Sequence, residues 1–375
     1  MKIQCNRKSL LAVTRLAAKV VSTRTTKPIL TSMLIVANDN GEVYLFATDL
    51  GTSLRYLVPD AQILEPGDGL LPAKAVLAAL RASTDTTLVF TSDAIGLDIM
   101  GDRTHMRLST QDPKEYPCIP QIDKINYRTV AAQDLRSLIL RLIFAVDSES
   151  ASRYTLNGIA LEFDTTQMVG VATDGRRLAH ACIPAETIGD CPVPLTPPIV
   201  PTATMKVLVE VLRNVTENVQ ISILTPNPFG KIFIWTSTMQ LTSYLQEGRF
   251  PLWREILNLP TTTTLQLDVA PLANALRAIA LPRSKATTQY TTISLSPGQM
   301  MLTTKDDGAT ATQQITAPAN CGKFTTTLNH QYLTEFFSQP GLMPTLTMSV
   351  STSMAACIFR QSNGYTYIVM PLNTD

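Results

Sequence analysis

The chain repeats itself three times, and this constrains its fold more than any single motif does. Four kinds of segment recur in one order along its 375 residues. The first is an amphipathic helix, written RKSLLAVTRLAAKVV over 7–21, AQDLRSLILRLIFAV over 132–146 and APLANALRAIAL over 270–281. The second is a strand ending in an Asp turn, around Asp49, Asp174 and Asp306, at offsets of 125 and 132 residues. A third segment, again helical, opens at Leu71, Val200 and Leu328, at offsets of 129 and 128. A late strand closes each copy. In the first two copies an aromatic-Pro pair follows it, at Pro117 and Pro251, 134 residues apart.

Between the helices lie Thr- and Val-rich runs such as TLVFTS, VQISIL, KIFIWTS, TTISLS and TLTMSVS. Their period-two alternation and β-branched content predict half-exposed antiparallel strands. Each repeat therefore reads helix, strands, helix, strands, an α+β fold built from three homologous domains. A chain this long exceeds one compact core. The boundaries expected are 1–124, 125–257 and 258–375, with linkers near 122–127 and 258–264.

Catalytic chemistry leaves few traces here. His105, His180 and His330 are the only histidines, and none has metal-ligand spacing to another His, Cys or carboxylate. No nucleophile elbow, P-loop or dinucleotide fingerprint occurs. Asp49, Asp174 and the Asp306-Asp307 pair follow strand-like runs and precede Gly or Leu-Gly, which is how a turn is written. These features predict neither catalytic residues nor metal nor cofactor, and they favour a binding protein over an enzyme. A hydrolase using the Asp turns on a repeated α+β scaffold stays as the alternative. The six cysteines are scattered without a C-x-x-C pair, so they read as buried thiols in a reducing cytoplasm. No signal peptide or membrane span is expected.

Charge is sorted along the chain. The net charge is only +1, which excludes a uniformly basic surface. Yet over the six helical segments (7–21, 71–83, 132–146, 202–214, 270–281 and 329–338) basic residues number 11 and acidic ones three. The helices thus carry +8 and the remainder −7. For one helix a solvated face explains such a bias. Five of six helices sharing one sign point to a surface that attracts phosphate without reading base edges.

Several runs together resemble a known family. They are Lys27-Pro28-Ile29-Leu30, the A-T-D turn ending at Asp49, Tyr154-Thr155-Leu156-Asn157-Gly158, Ala172-Thr173-Asp174-Gly175-Arg176-Arg177-Leu178, Gly248-Arg249-Phe250-Pro251 and Val369-Met370-Pro371-Leu372. In combination and in order they resemble the bacterial DNA sliding clamps, the β subunits of DNA polymerase III. The likeness spans essentially the whole chain.

That resemblance implies a cytoplasmic, non-enzymatic processivity factor. Two protomers would join head to tail into a ring of six domains, with twelve helices around the hole and sheets outside. Double-stranded DNA would be held independently of sequence, touched by Arg24, Lys74, Arg153 and Tyr154. Met106 and Leu108 would meet Ile279 and Leu281 across the joint between protomers. A hydrophobic pocket for short peptides of the polymerase α subunit, the clamp-loader δ subunit and other partners would be walled by Leu156, Thr173, Gly175, Arg176, Arg177 and Leu178. Pro251, Ile256, Asn329 and Tyr332 would continue the wall, and Val369, Met370, Pro371 and Leu372 would close it. Arg177 is expected to hold the peptide's backbone or carboxylate. Glu255, Asn373 and the acidic and polar stretch 146–152 depart from the family pattern and bear on peptide preference and DNA contacts. A clamp paralogue without a replicative role is the nearer alternative.

Overall fold

The computed structural model describes residues 1–22, 24–93, 95–118, 126–147, 154–194, 196–224, 230–282, 289–306, 308–319, 321–352 and 354–372. Seven α-helices lie among them: α1 (Arg7–Ala17), α2 (Ala73–Ala82), α3 (Ala132–Leu142), α4 (Thr202–Val211), α5 (Trp253–Leu257), α6 (Val269–Ala278) and α7 (His330–Phe337). Each of the six helices expected from the repeat is present, shortened by one to a few residues at its ends. Two of the expected tails, Ile143–Ala145 and Leu212–Asn214, tighten into 3-10 turns. The short helix α5 has no counterpart in the repeat pattern.

Contacts divide the chain into two compact units. The first comprises 1–133, 186–192 and 203–245; the second comprises 134–185, 193–202 and 246–375. Each unit therefore takes half of the middle repeat. The reason lies in the sheets.

In the first unit, strand Thr52–Leu57 pairs antiparallel with strand Met239–Tyr244, with Leu54 opposite Leu241. This joint fuses first-repeat and middle-repeat strands into one nine-stranded sheet. A five-stranded sheet, ending in edge strand His105–Ser109, completes the unit. Helices α1 and α2 pack on each other, and Ile3, Leu10, Leu45, Leu54, Leu80 and Phe90 are fully buried. Each such side chain contributes roughly 1.5–3 kcal/mol relative to exposure.

In the second unit the equivalent joint lies between strand Arg177–Pro184 and strand Thr366–Val369, with Leu178 opposite Ile368. It lies within an eight-stranded sheet, and a four-stranded sheet accompanies it. Strand Tyr290–Ser296 alternates strictly between buried and half-buried residues, as its sequence period requires. Phe336 of α7 stacks on Tyr367, their centroids 4.5 Å apart and their planes 9° from parallel. That contact seats α7 beneath the joint. Of the thiols expected to be buried, Cys5 and Cys357 are, whereas Cys118 is exposed.

Candidate functional site

The second unit brings together most of the residues expected in the peptide wall. Asp174 makes the turn between strands Gln167–Thr173 and Arg177–Pro184: its Oδ1 accepts from the amides of Arg176 and Arg177 at 2.9 and 3.0 Å. The Thr173 hydroxyl donates to the Arg177 carbonyl at 2.6 Å and accepts from the Gly175 amide at 3.0 Å. Gly175 has φ +85°, so the turn needs a residue tolerant of left-handed backbone. Across the joint, the Met370 amide donates to the Arg176 carbonyl at 2.9 Å, and the Leu372 amide donates to the Thr327 carbonyl at 2.9 Å. Those two bonds tie the apolar end of the described chain to the turn and to strand Phe324–Asn329.

Leu156 is buried, Leu178 and Val369 lie buried behind the turn, and Gly175, Arg176 and Met370 are exposed at its rim. Pro251, Ile256, Pro371 and Leu372 are half-buried. Helix α5 carries Ile256 onto the cluster of Val171, Leu178, Trp253, Ile358 and Ile368. The segment before it is pinned at Gly248, where a Cβ would fall 1.9 Å from the Thr155 hydroxyl. Asn329 caps α7, its side chain accepting from the Gln331 amide at 2.9 Å and the Tyr332 amide at 3.4 Å.

Arg177 has partners inside the unit. It is only 8% exposed, and each of its three nitrogens donates a hydrogen bond within the protein. Nε donates to Asp174 at 2.9 Å, Nη1 to Glu335 at 2.5 Å and Nη2 to the Phe144 carbonyl at 2.6 Å, with the guanidinium 4.2 Å from the centroid of the Tyr332 ring. Burial opposes its charge, yet Tyr367 and Glu335 outweigh burial and the net shift is upward. Arg177 thus bolts the turn to Glu335 and the Phe144 carbonyl. A separate cavity of about 340 Å³, lined by Glu162, His180, Trp253 and Leu257, shares none of the expected wall residues.

The helices of the first unit show what the charge sorting means in three dimensions. On α1 and the turn after it, Lys8, Ala12, Arg15 and Lys19 are exposed, at one-face helical spacing. On α2 the exposed stripe is Lys74, Ala78 and Arg81. Both helices thus present basic–Ala–basic, with small residues that let a backbone approach. Some cations counted from sequence have partners within the protein, and Lys19 Nζ lies 3.7 Å from Glu210. Arg7 donates to the carbonyls of Asp85 and Leu80, at 2.9 and 2.8 Å, and Arg141 donates to the Gly341 carbonyl at 3.3 Å.

The N-terminal-domain model of the DNA polymerase III beta subunit matches residues 1–120, and the central-domain model matches residues 129–252. The chain belongs to the DNA polymerase III beta subunit family. A beta sliding clamp from Caulobacter vibrioides is 26% identical over 383 residues, covering 99% of this chain and 100% of that one. Another from Chlamydia muridarum is 27% identical over 308 residues, covering 81% of this chain and 80% of that one. The crystal structure of the Bacillus subtilis DNA polymerase sliding clamp shares the fold, with a TM-score of 0.90 at 20% identity and 100% of both chains covered. That of a Pseudomonas aeruginosa sliding clamp bound to griselimycin superposes with a TM-score of 0.87 at 25% identity, covering 100% of this chain and 99% of that one. The beta-subunit fold is α+β with repeated antiparallel sheets, and the family is non-catalytic.

The remaining residues expected from the beta-subunit resemblance fall as follows. Arg24 and Lys74 are exposed in the first unit, and Tyr154 is half-buried in the second; Arg153 lies outside the described residues. So do Asn373 and most of the 146–152 stretch. Met106 and Leu108 are half-buried on one face of edge strand His105–Ser109. Leu281 is half-buried, but Ile279 is only 1% exposed. Its own unit already covers Ile279, so it can support a contact only from beneath. Trp253 was missed from sequence: its Nε1 donates to Glu162 at 2.9 Å, anchoring the helix that carries Ile256. An aromatic two residues after the Arg-Phe-Pro run was the available signal.

Proposed function

We infer that the chain is a DNA sliding clamp, a processivity factor that encircles duplex DNA and tethers the replicative polymerase. Two beta-subunit domain models matching in order along 1–120 and 129–252 carry this reading. The basic–Ala–basic stripes support it, because they supply phosphate attraction without base readout. Three clamp domains, 1–124, 125–257 and 258–375, make up each protomer. Two protomers close head to tail, with Met106 and Leu108 of one against Leu281 of the other over Ile279. A heterologous contact closes with two copies only if each spans half a turn. Arg24, Lys74, Arg153 and Tyr154 touch the DNA backbone in the cytoplasmic replisome.

The turn at Asp174, the wall at Pro251 and Ile256, the start of α7 at Asn329 and Tyr332, and the end at Met370, Pro371 and Leu372 form the peptide pocket. Polymerase α subunit, clamp-loader δ subunit and other partners dock there with one or two apolar anchors. Met370 is flexible and polarisable, which suits a groove that accepts different peptides. The decisive measurement is retention on DNA. Loaded by its loader onto nicked circles, the protein should stay bound and then run off once the circles are linearised. Equal retention on both forms would sink the reading. Deleting 370–375 should leave dimerisation intact while abolishing binding of a polymerase tail peptide, read by calorimetry.

A further inference from the structure

We propose that the other joint, between strands Thr52–Leu57 and Met239–Tyr244, carries a second docking patch. Its occupant is a short extended peptide with apolar anchors and a carboxylate. The proposal rests on the peptide-pocket reading of the Asp174 joint, because the two joints share one backbone frame. The Thr48 hydroxyl donates to the Thr52 carbonyl and accepts from the Leu50 amide, both at 3.0 Å. Asp49 Oδ1 accepts from the Gly51 and Thr52 amides at 2.9 and 2.6 Å. The Tyr244 amide donates to the Gly51 carbonyl at 3.0 Å. Bond for bond, these repeat the set around Thr173, Asp174, Gly175, Arg176 and Met370.

The side chains hung on that frame differ in a telling way. Leu50 stands where the second joint has Gly175, and it keeps the left-handed backbone, with φ +76°. A leucine there is strained, and packing does not repay the strain, since Leu50 is 45% exposed. Tyr244 stands where the second joint has Met370 and is 40% exposed. Beside it in the sheet come Lys231, directly opposite Tyr244, and then Leu224, opposite Lys231 and 48% exposed. Lys231 Nζ lies 4.7 Å from the Tyr244 ring centroid and makes no salt bridge among the described residues.

Tyr244 and Leu224 thus flank Lys231 at the end of a sheet, and exposed Leu50 precedes Gly51, whose carbonyl accepts from the Tyr244 amide, on a turn whose strain serves no core. Large apolar side chains left exposed together at one sheet end, around a cation, suit a binding site. An extended peptide presents residues i and i+2 to one side, so two apolar anchors can reach Leu50 and Tyr244. An acidic residue beside them complements Lys231.

The probe is a synthetic extended octapeptide carrying a leucine and a phenylalanine two residues apart and one aspartate. Calorimetry on the full chain should find two sites per chain. Leu50→Asp or Tyr244→Ser should weaken one of them by roughly tenfold or more, as loss of a central anchor does. Met370→Asp should weaken only the other. One site per chain, indifferent to Leu50→Asp, would overturn the proposal and leave the Asp174 pocket standing. No binding at either joint would overturn both. Leu50→Gly supplies a second readout: it should raise the melting temperature while weakening the second site. A fall in melting temperature would make Leu50 a packing residue and end the argument. Altered sedimentation in Leu50→Asp, without change in peptide binding, would assign the patch to a second copy of the chain and overturn the peptide.

Discussion

The two joints fold the same backbone and fill it with opposite chemistry. At the Asp174 joint the space between turn and helix holds an ion cluster: Arg177 with Asp174, Glu335 and the ring of Tyr332. At the Asp49 joint the equivalent position is Thr52, whose hydroxyl meets that of Thr204 at 2.9 Å, and Thr204 meets Ser243 at 2.8 Å. Three neutral hydroxyls replace a charged bolt. A repeated frame therefore fixes backbone geometry, while the electrostatics inside it are free to diverge.

The largest expected effect tests that contrast directly. Arg177→Met should destabilise the chain by about 3 kcal/mol, because it strands two carboxylates shielded from water. Asp174 and Glu335 have side-chain exposures of only 13% and 32%, so solvent cannot fully take over the lost partner. Urea denaturation measures it. A change below about 1 kcal/mol, the range of an exposed pair, would mean the cluster is ordinary surface electrostatics.

A smaller effect should appear in the pH dependence of the two joints. His180 sits on the Asp174 joint opposite Thr366, and its counterpart on the other joint is Arg55, opposite Gln240. Burial depresses His180 below its ordinary value of 6.5; the Gly364 carbonyl and Glu162 pull it up, and Arg254 pushes it down. The unfolded chain then binds the proton more readily than the folded one. Stability from this group is complete above pH 6.5 and declines as pH falls from there toward the lower folded value. The first joint has no histidine at that place, so this slope belongs to the second joint. His180→Gln should flatten the urea midpoint between pH 7 and 5, and an unchanged slope would place the pH response elsewhere.

How much of this was legible in the sequence depends on the range of the interaction. The repeat exposed both Asp turns, because a turn is written in adjacent residues, and Asp49 and Asp174 do accept the amides expected of them. The helix stripes were legible for the same reason. The internal partners of Arg177 were not legible, because Phe144 and Glu335 lie 33 and 158 residues away. Helix α5 was hidden because Trp253 is held by Glu162, 91 residues away. The left-handed Leu50 could have been found by setting A-T-D-L-G against A-T-D-G-R, since a glycine in one copy marks the backbone of the other. Arg7 could not: nothing local says that a helix-start arginine turns to the carbonyls that end another helix.

The smallest effect belongs to the hydroxyl trio. Thr52→Val removes one neutral donor from a buried chain and should destabilise by about 1 kcal/mol, because net hydrogen bonds between uncharged groups are worth that much. Thr204 keeps its bond to Ser243, and Ser243 also donates to the Tyr244 carbonyl at 3.0 Å, so no group is left wholly alone. Adding Thr204→Val should cost less than the first change did. With both hydroxyls gone, a methyl faces a methyl in a site where Thr204 is fully buried, and replacing both partners approaches neutrality. Arg177→Met allows no such second-step recovery unless both carboxylates go too. The comparison between joints therefore has a sharp form in a double-mutant cycle. Coupling between Thr52 and Thr204 should be positive and small, and coupling between Arg177 and Glu335 larger. Equal couplings in urea denaturation would show that the charged and neutral fillings do the same mechanical work, and the distinction drawn between the two joints would fall.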